Sequence, residues 1–260
     1  MSKGDQTRAR ILRHATKVAS RDGLEGLSIG ELATALDMSK SGLFAHFGSK
    51  EDLQIEVLRA AAVDFEHGVI RPALQQPRGP ARLWALFDLW VKWASSPETR
   101  GGCIFAAASF ELDDRPGPVR DYLVEEEKRL LGVLSRSARL GVESGLFRAD
   151  LDCDLLAFQI HGLMLGFHHA LRLLRQRSAE AMARRSFEQL LAQAMPASFG
   201  LRSPPTARMP AAQASSRIVP TPQQGSMTVS PGTAAKLTIA RATRAGRALE
   251  KAWGFRSWAR

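Results

Sequence analysis

Residues 28–50, SIGELATALDMSKSGLFAHFGSK, decide how the rest of the chain is read. Ser28 is a good N-cap, Glu31 three residues on completes a capping box, and Leu27 and Leu32 stand at the two positions of a hydrophobic staple. A helix is therefore predicted from Ile29, with Ile29, Leu32, Ala33 and Leu36 spaced to form one apolar face. Asp37-Met38 breaks it, and Ser39 caps a second, shorter helix. Within that helix Leu43 and Phe47 lie one turn apart and face inward, which leaves Lys40, Ser41, Phe44 and Ala45 outward. Gly48 supplies the stop, and Ser49 caps a further helix beginning at Lys50. Two short helices joined by a tight turn, the second presenting a small, polar face with a basic N-terminus, make a helix-turn-helix.

The flanking residues extend the pattern. Upstream, a helix over about Asp5 to Arg21 carries Arg10-Ile11-Leu12 and Ala15 and stops at Asp22-Gly23; downstream, Lys50-Glu51-Asp52-Leu53 follows Leu43-Phe44-Ala45-His46-Phe47. With these features residues 5–65 resemble the N-terminal DNA-binding domain of the tetracycline-repressor (TetR) family of bacterial transcriptional regulators. The resemblance implies a double-stranded DNA operator as partner. Lys40, Ser41 and Gly42 are then expected at base edges in the major groove, with Gly42 permitting close approach. Ser28, Ser39, His46 and Lys50 are expected at phosphates, and Arg8 and Arg10 are the further arginines placed to reach them. Phe44 is a departure: the family commonly has Tyr there, whose hydroxyl meets a phosphate, and a phenyl ring beside the DNA backbone offers none.

The chain's 260 residues and 45% hydrophobic content suit one or two globular domains. Its net charge of +10 is unevenly spread, with +3 on residues 1–50, −2 on 51–195 and +9 on 196–260, so the overall basicity says little about the folded part. No run of 18 apolar residues occurs, and MSKGDQTRAR has no apolar signal-peptide core. No membrane span is expected, and Cys103 and Cys153, the only cysteines, form no disulfide framework, so the expected location is the cytoplasm.

Beyond Ser49 every periodic segment is helical. A long helix runs to about Ile70, where Pro72 is expected to interrupt it; an apolar helix carries Leu83 to Trp93; CIFAAASFELDD reads as a buried helix of small residues. Helices over about 119–143, 153–175 and 179–194 complete the globular part. The expected fold is all-α: a three-helix DNA-binding domain at 5–65 with its helix-turn-helix at 28–47, a helical effector-binding and dimerisation domain at 66–195, and a basic, Pro-rich tail at 196–260. The tail is expected to be disordered at least to Gly232; from Thr233 onward the two readings are a basic helix lying on DNA or an acidic membrane surface and, favoured, a solvated extension without function. By resemblance the bundle makes a homodimer and binds a small molecule. Independently, LLAFQIHGLMLGFHHALRLL at 155–174 is apolar nearly all round, and Gly162 and Gly166 at i, i+4 allow a second helix close approach. The effector is expected to be apolar, lined by Trp84, Phe87, Cys103, Phe105, Phe110, Met164 and Phe167.

No catalytic motif accompanies this frame. His161, His168 and His169 share one helix without a metal ligand spacing, and no phosphate loop, serine elbow or zinc-protease pattern occurs, so no catalytic residue, metal or cofactor is expected. Two other classes stand beside a ligand-responsive repressor: a thiol sensor that uses Cys103, and an enzyme on the same fold, which the missing motifs disfavour.

Overall fold

Caps and apolar stripes start and end most helices where the sequence puts them. The computed structural model describes residues 3–96 and 102–196, so the expectations for the tail from residue 197 onward lie outside the described residues. α1 (Lys3–Asp22) buries Ile11, Ala15 and Ala19 at one-turn spacing and ends at Gly23. α2 (Ile29–Ala35) is capped by Ser28, whose hydroxyl accepts the Glu31 N–H, and α3 (Lys40–Phe47) by Ser39, whose hydroxyl accepts the Gly42 N–H at 3.0 Å. Leu43 and Phe47 of α3 are buried against α2 and α4 (Lys50–Phe65), itself capped by Ser49.

Pro72 does not break the long helix as expected. A π-helical turn at Glu66–Ile70 lets the Arg71 N–H reach the Glu66 carbonyl one residue further back, and Pro72 then falls in the first turn of α5 (Arg71–Leu74), where a missing N–H costs little. The helical path therefore continues to Leu74. α6 (Pro80–Ala94), α7 (Ile104–Leu112), α8 (Pro118–Glu143), α9 (Cys153–Arg172) and α10 (Ala179–Ala194) follow, and the described residues contain helices and no strand. α8 packs on α9, α9 on α10, and α6 on both α8 and α9. α4 touches α1 and α3 on one side and α7 and α8 on the other, so one helix serves both the N-terminal trio and the bundle.

The bundle is sewn through its aromatic residues. Phe87 of α6 stacks on Phe187 of α10 at 4.3 Å between centroids, with Trp84 at 5.3 Å from Phe187. Beside this stack Asp88 of α6 pairs with Arg184 of α10 at 2.6 Å and with Lys92 at 2.7 Å. Burial alone would raise the Asp88 pKa, yet the two cations hold it below the ordinary carboxylate value. A depressed folded pKa contributes stability that is present above the unfolded value near 4 and is lost as pH falls through the folded value. Asp88→Asn is accordingly expected to cost about 1 to 2 kcal/mol at pH 7 and progressively less below about pH 4. Urea denaturation of both proteins at pH 7 and pH 3 checks it; an equal deficit at both pH values would remove the ion pair as its cause.

Candidate nucleic-acid interface and bundle interior

The outward face of α3 is the one the sequence places there. Lys40, Ser41, Phe44 and Ala45 are all exposed, Phe44 at 48%, while Leu43 on the opposite face is fully buried. Lys40 lies back over the start of α2, its Cε 3.1 Å from where a Cβ on Gly30 would stand. Gly42 has a role inside the protein: a Cβ there would stand 2.9 Å from the capping Ser39 hydroxyl. Ser39 Oγ also lies 3.3 Å from Ser41 Oγ, so the N-terminal turn of α3 carries two linked hydroxyls beside Lys40. Ser28 stands at the head of α2, and the His46 ring leans against Phe47 at the far end of α3, with 6.3 Å between centroids. The N-termini of α2 and α3 thus offer N–H groups, hydroxyls and one ammonium, a donor set suited to an anionic backbone.

Three cations expected at phosphates are engaged within the fold. Lys50 Nζ donates to the Glu25 carbonyl at 2.9 Å and stands 3.3 Å from the Glu25 carboxylate, bridging the head of α4 to the loop after α1. Arg8 donates to the His46 carbonyl at 2.5 Å, pairs with Glu56 at 2.7 Å and lies 4.7 Å over the Phe47 ring. It fastens the C-terminal end of α3, whose last carbonyls lack helical partners, to α1 and α4. Arg10 donates to the Leu36 carbonyl at 3.2 Å and does the same for α2.

The residues expected around an effector divide into two groups and an outlier. Trp84 and Phe87 belong to the α6–α10 stack with Phe187. Cys103, Phe105, Met164 and Phe167 are buried elsewhere, around α7 and α9, where Trp90 meets Phe167 edge-on at 5.7 Å and Phe65 of α4 meets Phe105 at 6.2 Å. Phe110 is 62% exposed, because residues on the opposite side of α7, Ile104, Ala108 and Leu112, fill the core. The bundle also covers polar groups: His161 Nε2 of α9 is 2.9 Å from Glu127 Oε2 of α8, both side chains mostly covered. Tyr122, one turn before Glu126 on α8, lies under the Arg59 guanidinium at 5.5 Å; burial and the neighbouring Glu126 push its phenol pKa up. Among the described residues no three His, Cys, Asp or Glu side chains are arranged to hold a metal, and no helix is long and apolar enough to cross a membrane.

Residues 11–57 match the model of bacterial regulatory proteins of the tetR family, and residues 79–187 that of the tetracyclin repressor-like C-terminal domain. The HTH-type transcriptional repressor NicS of Pseudomonas putida is 32% identical over 172 residues, covering 65% of this chain and 78% of the relative. The chain belongs to the TetR family. It is a DNA-binding transcriptional repressor of that family. Among solved structures, a TetR transcriptional regulator from Chloroflexus aurantiacus superposes with a TM-score of 0.69 at 24% identity, over 75% of this chain and 98% of that one. AibR, solved with isovaleryl coenzyme A and operator DNA, superposes with a TM-score of 0.58 at 22% identity, over 70% of this chain and 97% of its own.

Within the TetR frame, sequence reasoning missed the residues that hold the reading helices in place. Arg8 and Glu56 are 48 positions apart, and Glu111 reaches a loop 86 residues before it, so no local spacing marks either contact. The His161–Glu127 pair was equally hidden, since each residue reads as part of an ordinary helix until α8 and α9 are laid side by side.

Proposed function

We propose that the chain is a homodimeric repressor that binds a pseudo-palindromic operator in the cytoplasm and leaves it when a small molecule enters the bundle. The observation that carries the dimer is α9. Leu156, Ile160, Met164 and Phe167 of this helix are buried in the chain's own core, while Leu155 and Phe158 on another side are 51% and 69% exposed. On that open side no atom lies within 4 Å of where a Cβ on Gly162 or Gly166 would stand. An apolar face with two gaps at one-turn spacing is suited to a second copy of itself, and a two-fold axis there gives two recognition helices for two half-sites. The reading domain at 5–65 then supplies Lys40, Ser41 and Gly42 to base edges, and Ser28, Ser39 and His46 to phosphates, with the Phe44 ring against the backbone. Lys50 completes the phosphate set from the head of α4, where its side chain, 42% exposed, is steadied by Glu25.

For the effector, Trp90, Phe105, Met164 and Phe167 supply apolar wall, and the Glu127–His161 pair adds a polar handle. The ligand releases DNA to the extent that it binds the non-operator conformation more tightly. A gel shift with a DNA fragment from upstream of the protein's own coding sequence tests the whole reading. A retarded band that survives excess unrelated DNA, with a two-fold symmetric footprint, supports it; an asymmetric single-site footprint overturns the dimer on the palindrome.

The thiol-sensing alternative asks Cys103 to be reactive. The residue is 4% exposed, its sulfur accepts the Ala106 N–H at 3.5 Å as the cap of α7, and burial, with Glu127 nearby, pushes the thiol up to about 12. At neutral pH that leaves almost no thiolate to be oxidised. Hydrogen peroxide is therefore expected to leave operator binding unchanged in the native protein and in Cys103→Ser alike. Release of DNA by peroxide that is lost in Cys103→Ser would restore the sensor.

A further inference from the structure

The loop between α1 and α2 is gripped from the bundle by a single carboxylate. Glu111, in the last turn of α7, accepts the Leu24 N–H at 2.9 Å on one oxygen and the Glu25 N–H at 2.5 Å on the other. Gly23 makes room for it: a Cβ there would stand 2.9 Å from Glu111 Oε2, and the backbone at φ +83° is one that other residues rarely adopt. On its other side the same loop is held by α4, because Gln54 Nε2 donates to the Leu24 carbonyl at 2.9 Å and Lys50 pairs with Glu25. Arg115, just beyond α7, adds a long contact to Glu25 at 3.9 Å. Leu24 is thus pinned by its N–H to the bundle and by its carbonyl to the helix that leads out of the reading domain.

Two parallel hydrogen bonds donated to one carboxylate fix orientation as well as distance, as a fork does. We infer that Glu111 is a positioning residue for operator binding: its two-point hold on Leu24 and Glu25 sets the angle at which each bundle carries its reading helices, and hence the half-site separation that the dimer accepts. The inference rests on the proposed dimeric binding to a palindrome. In Glu111→Gln one oxygen can still accept an N–H, but the amide nitrogen then faces the second backbone N–H donor to donor, so the hold drops to one point. Glu111 bonds only backbone N–H groups of this loop, whereas the core of the reading domain is made by the side chains of Ile11, Leu43, Leu53 and Val57 together with that of Leu24.

The test uses the full chain and a set of duplexes sharing one half-site, selected from random DNA with the native protein, at the selected separation and at separations one and two base pairs longer and shorter. Each base pair moves the half-sites by about 3.4 Å and turns them by about 35°. Native protein is expected to prefer one separation by at least about fivefold, and Glu111→Gln to lose most of that preference while its affinity for an isolated half-site stays within about twofold. Gly23→Ala, which drives the loop off an intact carboxylate, should broaden spacing in the same way. Amide hydrogen exchange adds a readout independent of DNA: in Glu111→Gln, Leu24 and Glu25 should exchange faster while the buried amides of α3 do not change. A variant that keeps the native spacing preference overturns the inference, and so does an equal loss of affinity at every separation and on the isolated half-site, which would make Glu111 a support of the reading domain's fold alone. Native protein that shifts only single half-sites would instead sink the dimeric reading, and this inference with it.

Discussion

Phe158→Glu is expected to convert the protein from dimer to monomer at micromolar concentration and to take most of its operator affinity with it. The ring of Phe158 is 69% exposed in the single chain, so the change costs the isolated subunit almost nothing. In a two-fold interface the residue is met twice, and α9 around it offers Leu155 and the open flanks of Gly162 and Gly166, with no Lys or Arg in the adjoining turns and with the one nearby histidine, His161, already set against Glu127. Two carboxylates would then be desolvated without partners, a penalty of several kcal/mol, so that about 3 kcal/mol of net loss, or roughly a hundredfold in dissociation constant, is a cautious figure. Operator binding should fall by more than the dimer constant alone suggests, because linked half-sites gain about 100- to 10,000-fold from effective concentration. Light scattering during size exclusion measures the first effect and a gel shift the second. Phe110→Glu, which places the same charge on an exposed ring of α7, should remain dimeric. If Phe158→Glu does so too, the α9 face is not where two copies meet.

The contrast between what the sequence discloses and what it hides follows from the range of the forces involved. Ser28, Ser39 and Ser49 cap their helices as expected because an N-cap is a contact between residues three apart, and the buried stripes of α1, α3 and α6 are periodicities that need no partner to be seen. Pro72 misled because its cost depends on which carbonyl would have faced its absent N–H, and a π-helical turn just upstream changes that register. Lys50, Arg8 and Arg10 have the composition of phosphate contacts, yet each finds an unsatisfied carbonyl at a helix end or a loop, 25 to 38 residues away in sequence. Phe110 reads as core because α7 is apolar on nearly every side, so the pattern gives no sign of which face turns inward; packing against α1, α4 and α8 buries the face bearing Ala108 and Leu112. A side chain's chemistry is written in the sequence, but the group it will meet is decided by tertiary proximity.

Lys40→Ala is the sharper probe of how α3 meets DNA. The side chain is exposed at the first position of α3 and is folded back toward Gly30, so removing it leaves the reading domain's core of Leu32, Leu43, Phe47 and Leu53 untouched. In the proposed docking its ammonium reaches a base edge, and its loss should cost about 1 to 3 kcal/mol on the preferred operator while flattening discrimination at one base pair in each half-site. Phe44→Tyr should act in the opposite sense and without base preference. The ring is 48% exposed one turn further along the same face, and a hydroxyl added there gains a phosphate hydrogen bond worth about 1 kcal/mol per subunit, somewhat more for a charged acceptor. Because phosphates carry no base identity, that gain should be the same on every duplex, whereas the Lys40 loss should shrink on duplexes already altered at its base pair. Titrating both variants against the operator and its single-base derivatives at one fixed salt concentration separates the two behaviours. Uniform weakening in Lys40→Ala, or a changed base preference in Phe44→Tyr, would mean that α3 lies in the groove rotated by roughly the 40° that separates residues four apart, with Phe44 turned toward the bases and Lys40 toward the backbone.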